Sequence, residues 1–140
     1  MNITFVCEGI KKPPYHYKSI SNWLKEVIHK YNKSVGTITY IFCNDEYLLD
    51  INIKYLGHDF YTDIVTFDYC QNELISGDLF ISLERVSENA QLFGVSFKEE
   101  FLRVIIHGLL HLLGFGDHTD LEKSSMRMLE DQYLLLYKLN

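Results

Sequence analysis

HGLLHLLGFGDH, residues 107–118, sets three histidines and an aspartate into an otherwise apolar segment. His107 and His111 are four residues apart, so on an α-helix their imidazoles leave the same face one turn apart. Buried separately, each ring needs its own polar partner. Side by side, they have the spacing by which a helix offers two ligands to one zinc ion. Gly114 lets the chain leave the helix and fold back, so a third ligand can arrive from Asp117 or His118. Three protein ligands and one open position make a catalytic zinc site rather than a closed structural one. The plainer reading, ordinary core and loop histidines, suits any one of these residues better than it suits the set. Zinc peptidases carry Glu directly after the first histidine as general base. Here that position is Gly108, which has no side chain to accept a proton.

Outward from the motif, helix signals alternate with strand signals. Ser96 and Glu99 form a capping-box pattern that opens a helix from 97 to about 113, closed by Gly114. Thr119 and Glu122 repeat the pattern for a last helix, roughly 120 to 138. Its apolar positions Met126, Met128, Leu129, Tyr133 and Leu136 predict core packing. Upstream, Ser82 caps a helix with Leu83, Val86, Ala90 and Phe93 on one side, ended by Gly94. Asn44 or Asp45 caps another, with Leu48, Ile51 and Tyr55 on one face and Gly57 as its stop. Ile20, Trp23, Leu24, Val27 and Tyr31 recur at helical spacing over 16–31, after a break at Pro13-Pro14. Residues 2–7, 37–43, 62–69 and 77–82 read as strands. The class predicted is α+β: a small mixed sheet of about four strands with helices packed on it.

At 140 residues the chain reads as a single domain, 1–140, long enough to bury a core. It is 47% apolar, 23% charged and 14% aromatic, which argues against disorder. A net charge of −6 disfavours a non-specific, high-affinity nucleic-acid binder but permits an enzyme that meets RNA through a local patch. Cys7, Cys43 and Cys70 are odd in number and lack a Cys-x-x-Cys pair, as suits free thiols in a reducing cytoplasm. The start, MNITFVCEGIKKPP, lacks the order of a signal peptide, and the apolar run near 104–115 is too short to span a membrane.

The histidine stretch resembles the signature of the bacterial rRNA maturation factor YbeY family, H-G-x-L-H-L-x-G-Y-D-H. INIKYLGHDFYTDIVTFDY at 51–69 is similar to that family's central segment, GDLFIS at 77–82 to its following strand, and RVIIHG at 103–108 also fits. These blocks cover about half the chain in the expected order. The resemblance implies a zinc-dependent endoribonuclease of the cytoplasm, active in ribosomal RNA maturation and ribosome quality control. It also implies a metallopeptidase (zincin)-like core, one zinc per chain, and ribosomal RNA or ribosomal particles as partners.

Two departures stand out. The family's third histidine falls, without a gap, on Asp117, and His118 comes one residue late. Either Asp117 is the third ligand, an oxygen donor zinc accepts, or Gly116 is an insertion and His118 binds. The ungapped register favours Asp117, with His118 then orienting the carboxylate or simply exposed. The family's arginine in the central segment is Leu56 here. His58, and Arg103 one turn before His107, are the cations that could replace it at a phosphate. The plainer readings are an exposed turn histidine and a solvated helix arginine paired with Glu99 or Glu100, since such charges usually face water. Lys11, Lys12, Lys18 and Lys54 are further candidates for an RNA patch, and Asp78 for a carboxylate near the metal.

The mechanism expected is hydrolytic cleavage of single-stranded RNA. Zinc would act on the phosphate and supply the nucleophilic water or activate the ribose 2′-hydroxyl. Two imidazoles and a carboxylate also suit iron or nickel. A ribosome-assembly factor with structural zinc and no nuclease activity, and a metal-dependent hydrolase of another substrate, are the alternatives.

Overall fold

The computed structural model describes residues 2–139. Its elements run β1 (Ile3–Cys7), α1 (Tyr17–Lys30), β2 (Ser34–Cys43), α2 (Asp45–Leu56), β3 (Ile64–Asp68), β4 (Leu74–Ser82), α3 (Leu83–Phe93), α4 (Phe97–Leu112) and α5 (Asp120–Leu139). The helix starts follow the capping residues. Asn44 Oδ1 accepts from the Tyr47 N–H at 2.8 Å, Ser82 Oγ from Arg85 at 3.2 Å, and Ser96 Oγ from Glu99 at 3.1 Å. Asp45, the other capping candidate of α2, instead accepts from the Ser82 hydroxyl at 2.6 Å and from Arg85 at 2.7 Å, tying α2 to α3.

The sheet order is β1-β2-β4-β3, with β1, β2 and β4 parallel and β3 antiparallel on the edge beside β4. This is the mixed sheet of the α+β, zincin-like class that the sequence predicts. Side chains alternate across it. Ile38, Tyr40, Phe42, Leu79 and Ile81 pack into the main core with α1, α4 and α5, while Cys43, Val65 and Phe80 face α2 in a smaller cluster.

β2 and β4 each begin three residues before the expected starts at 37 and 77. Both longer strands run through a glycine. Gly36 lies in a β-bulge, where an added Cβ would meet Ser76 Oγ and the Ile75 carbonyl, the latter at 2.8 Å. At Gly77 an added Cβ would come within 2.6 Å of the Phe67 carbonyl and 2.9 Å of Leu112. Both glycines are interior residues that permit close approach. Three side chains assigned to apolar faces are mostly outside it: Tyr55 is 56% exposed, Phe93 55% and Met128 71%, whereas Met126 is buried.

α4 is the central helix, apolar on nearly every side because it lies between the sheet and α5. It crosses the sheet at Gly108, where an added Cβ would meet Leu79 Cδ2 at 2.5 Å and Ile64 Cδ1 at 2.6 Å. The position that holds a general base in zinc peptidases is thus a packing contact in this chain. Gly108→Ala is expected to destabilise the fold by about 1–3 kcal/mol through overpacking, read as a lowered urea midpoint with an unchanged m-value.

Candidate metal centre

His107 and His111 line the half-open edge of α4, and their Nε2 atoms meet at 2.9 Å. Each Nδ1 is already engaged. The His107 Nδ1–H donates to Glu130 Oε2 on α5 at 2.6 Å, and the His111 Nδ1–H donates to the Phe115 carbonyl at 2.9 Å. A carboxylate and a backbone carbonyl only accept. They therefore place both protons on Nδ1 and leave a lone pair on each Nε2.

The third donor arrives through local turn chemistry. Gly114, at φ 102°, makes the bend that returns the Phe115 carbonyl to His111. Glu122 then pins the loop. Its Oε1 accepts from the N–H groups of Thr119 and His118 at 3.0 and 3.2 Å, and Thr119 Oγ1 accepts from the Glu122 N–H at 3.1 Å. Asp117 is carried inward until its Oδ2 stands 3.4 Å from both Nε2 atoms.

Among the described residues, His107, His111 and Asp117 form a group whose ligand atoms all lie within 4.8 Å of one another. Three lone-pair donors converge there, an arrangement that a cation satisfies. Donors about 2.0–2.1 Å from a tetrahedral ion stand about 3.3 Å apart, and the three separations here are 2.9, 3.4 and 3.4 Å. This group could hold a metal ion. His118 lies in the same cleft outside the triple.

The triple opens into a cleft of about 470 Å³ between β3, the loop after α2, and the loop after α4. His58, Leu56 and Phe60 are on its wall. Among the described residues lining it none is lysine or arginine. Lys12 and Lys54 instead lie over the rings of Tyr17 and Tyr55. Asp78, read as either a carboxylate near the metal or an ordinary strand-end carboxylate, engages Tyr69 and shares the sheet face of Phe80, which packs toward α2, away from α4.

Arg103 also sits differently from its expected place. Its Nη1 donates to Glu130 Oε1 at 2.9 Å and its Nη2 to Asp131 Oδ1 at 2.7 Å, with the side chain only 11% exposed. The guanidinium hydrogen-bonds two carboxylates on α5 rather than Glu99 or Glu100. It holds Glu130, which holds His107. The sequence reading missed Glu130, although a glutamate between Met126 and Tyr133 on the inward face of α5 is the available signal. It missed Asp63 as well, which faces both the cleft and a second cavity of about 200 Å³ behind His107. Burial pushes the Asp63 carboxyl up, against the pull of His107 and two backbone N–H groups. At His107 burial disfavours the imidazolium, but Glu130, with Asp63 and Asp117, outweighs it and raises the pKa.

Glu100 faces that second cavity and is only 4% exposed. Burial, then the charges of Asp63 and Glu130, push its carboxyl up from 4.5 to about 7, against Arg103 and Arg127. A carboxyl whose folded pKa is raised contributes stability below its unfolded pKa and loses it as pH rises. Stability is expected to fall between about pH 4.5 and 7 on this account by on the order of 3 kcal/mol. Glu100→Gln should flatten that part of the profile, as measured by urea unfolding at pH 5 and 8.

The family model described as Endoribonuclease YbeY matches residues 7–138. The chain belongs to the YbeY endoribonuclease family. It is 46% identical to the Endoribonuclease YbeY of Bacteroides thetaiotaomicron over 136 residues, covering 97% of this chain and 99% of that one. It is 48% identical to that of Phocaeicola vulgatus over 98% of this chain and 99% of that one. With the Flavobacterium psychrophilum protein it shares 51% identity over 85% of each chain. The solution structure of a Thermotoga maritima protein superposes with a TM-score of 0.68 at 27% identity, covering 94% of this chain and 85% of that one. The YbeY resemblance of the histidine stretch thus extends over nearly the whole length.

Proposed function

We propose that this chain is a zinc-dependent endoribonuclease, specific for single strands, that acts in ribosomal RNA processing and ribosome biogenesis. In this reading residues 1–140 form one YbeY-like hydrolase domain in the cytoplasm, with ribosomal RNA and ribosomal particles as partners. Among the described residues no helix is long and apolar enough to cross a membrane. The supporting observation is the convergence of His107 Nε2, His111 Nε2 and Asp117 Oδ2 on the wall of an open cleft. These three residues would hold one zinc ion. When bound, zinc supplies Lewis acidity toward phosphate oxygens and acidifies coordinated water toward neutrality.

The protein's own groups do the rest. Glu130 and the Phe115 carbonyl hold the two imidazoles in register, so the metal ligands need not reorganise on substrate arrival. His58, on the same wall as Leu56, can donate a hydrogen bond to a phosphoryl oxygen where the family's arginine is absent. Arg103 serves the site from behind through Glu130. Gly108, packed against Leu79 and Ile64, has no side chain to serve as a peptidase-type base.

The test is to present the zinc-loaded protein with single-stranded RNA, duplex RNA and peptides, and to identify the product ends. Cleavage of the single strand supports the reading, and a 2′,3′-cyclic phosphate assigns the attack to the ribose hydroxyl rather than to water. Cleavage of peptides without RNA, or binding to ribosomal particles with no cut, overturns it.

A further inference from the structure

The cleft wall carries an aromatic pair outside the His107, His111 and Asp117 triple. His58 and Phe60 stack with ring centroids 5.3 Å apart and planes 20° from parallel, and both line the cleft that holds His107, His111 and Asp117. Phe60 is 56% exposed.

The loop bearing the pair is built to hold it. Gly57 leaves α2 in the left-handed conformation at φ 68°, and the His58 N–H donates to the Asn52 carbonyl at 3.2 Å. Asn52 is 2% exposed, and its Nδ2 donates to the Phe60 carbonyl at 3.0 Å. A buried side-chain amide is thus committed to fixing the backbone of an exposed phenylalanine. The next residue, Tyr61, is tied down separately, its hydroxyl donating to Glu46 at 2.7 Å and its ring lying 5.7 Å from the Arg85 guanidinium.

What the cleft lacks gives the pair its meaning. RNA is usually gripped by lysine and arginine on its phosphates, yet among the described residues none lines this cleft, and the chain carries a net charge of −6. Stacking on an aromatic side chain needs no charge. It strengthens single-strand binding by roughly five- to 150-fold per base. A duplex cannot use such a surface, because its base faces are already covered.

We infer that Phe60, backed by His58, is a stacking platform for an unpaired nucleobase of RNA close to the phosphate held at the metal centre, and that it sets the preference for single strands. This rests on the endoribonuclease reading above. The test uses the zinc-loaded full chain, a single-stranded oligoribonucleotide, and the same strand with 2-aminopurine placed in turn on either side of the cut. Phe60→Leu keeps an apolar side chain without a π face, and Phe60→Trp restores one. The leucine variant is expected to raise KM about ten-fold, with kcat and zinc content close to wild type. Wild type and the tryptophan variant should quench 2-aminopurine at one position, and the leucine variant should not. If wild type cuts RNA and Phe60→Leu shows the same KM and quenching, the platform is wrong while the endoribonuclease reading stands. If wild type neither binds nor cuts RNA, that reading fails and the platform with it.

Discussion

Alanine at His107 is expected to remove the bound metal and reduce RNA cleavage to background while the fold persists. The imidazole Nε2 is one of the three converging donors. Losing one of three protein ligands leaves a site that holds zinc poorly. The fold should survive because His107 lies at the edge of the cleft with its side chain 23% exposed, and Glu130 keeps Arg103 as partner. Metal analysis of purified wild type and variant, with circular dichroism as the folding control, checks both halves. Asp117→Ala should behave like His107→Ala, and His118→Ala should retain metal. Loss of metal in the His118 variant alone would assign the third ligand to His118 and remove Asp117 from the site.

Removing Glu130 should damage both metal affinity and stability. Its two oxygens serve different partners, Oε2 accepting from His107 and Oε1 from Arg103, and the side chain is only 7% exposed. Glu130→Ala frees the His107 ring to rotate and to change tautomer, for which a loss of about 10–100-fold in zinc affinity is expected. It also leaves Arg103, itself 11% exposed, with Asp131 alone. The stability cost should approach about 3 kcal/mol, the lower end for breaking a buried pair. Glu130→Gln keeps an oxygen for the His107 N–H but drops the charge, so it should fall between the two. Chelator competition for zinc and urea unfolding measure the two effects separately. Unchanged zinc affinity in the alanine variant would show that Glu130 stabilises the helix packing without orienting the ligand.

Much of the fold could be read along the chain because its signals are short-range. Asn44, Ser82 and Ser96 each satisfy an N–H three residues on, and Gly57 and Gly94 each end a helix at φ 68°. The strands were harder to delimit: β2 and β4 each begin three residues earlier than read, and the close contacts at Gly36 and Gly77 that place both glycines inside strands come from the neighbouring strand and Leu112. Exposure was harder still. Phe93 keeps the helical period of Leu83, Val86 and Ala90, yet as the last residue of α3 it is 55% exposed.

The metal centre divides along the same line. His107, His111 and the Gly114 bend lie within one stretch, and helical spacing by itself dictates that two imidazoles share a face before a turn; that much the sequence determined. The rest needed the tertiary structure. Asp117 and His118 are adjacent, and only the loop pinned by Glu122 decides which of them joins the imidazoles. Glu130 is 23 residues from His107, and whether Arg103 met a phosphate or a carboxylate depended on how α5 packs against α4. Backbone periodicity orders neighbours a turn apart. Partners that are distant in sequence meet only where the burial of apolar surface has brought their elements together.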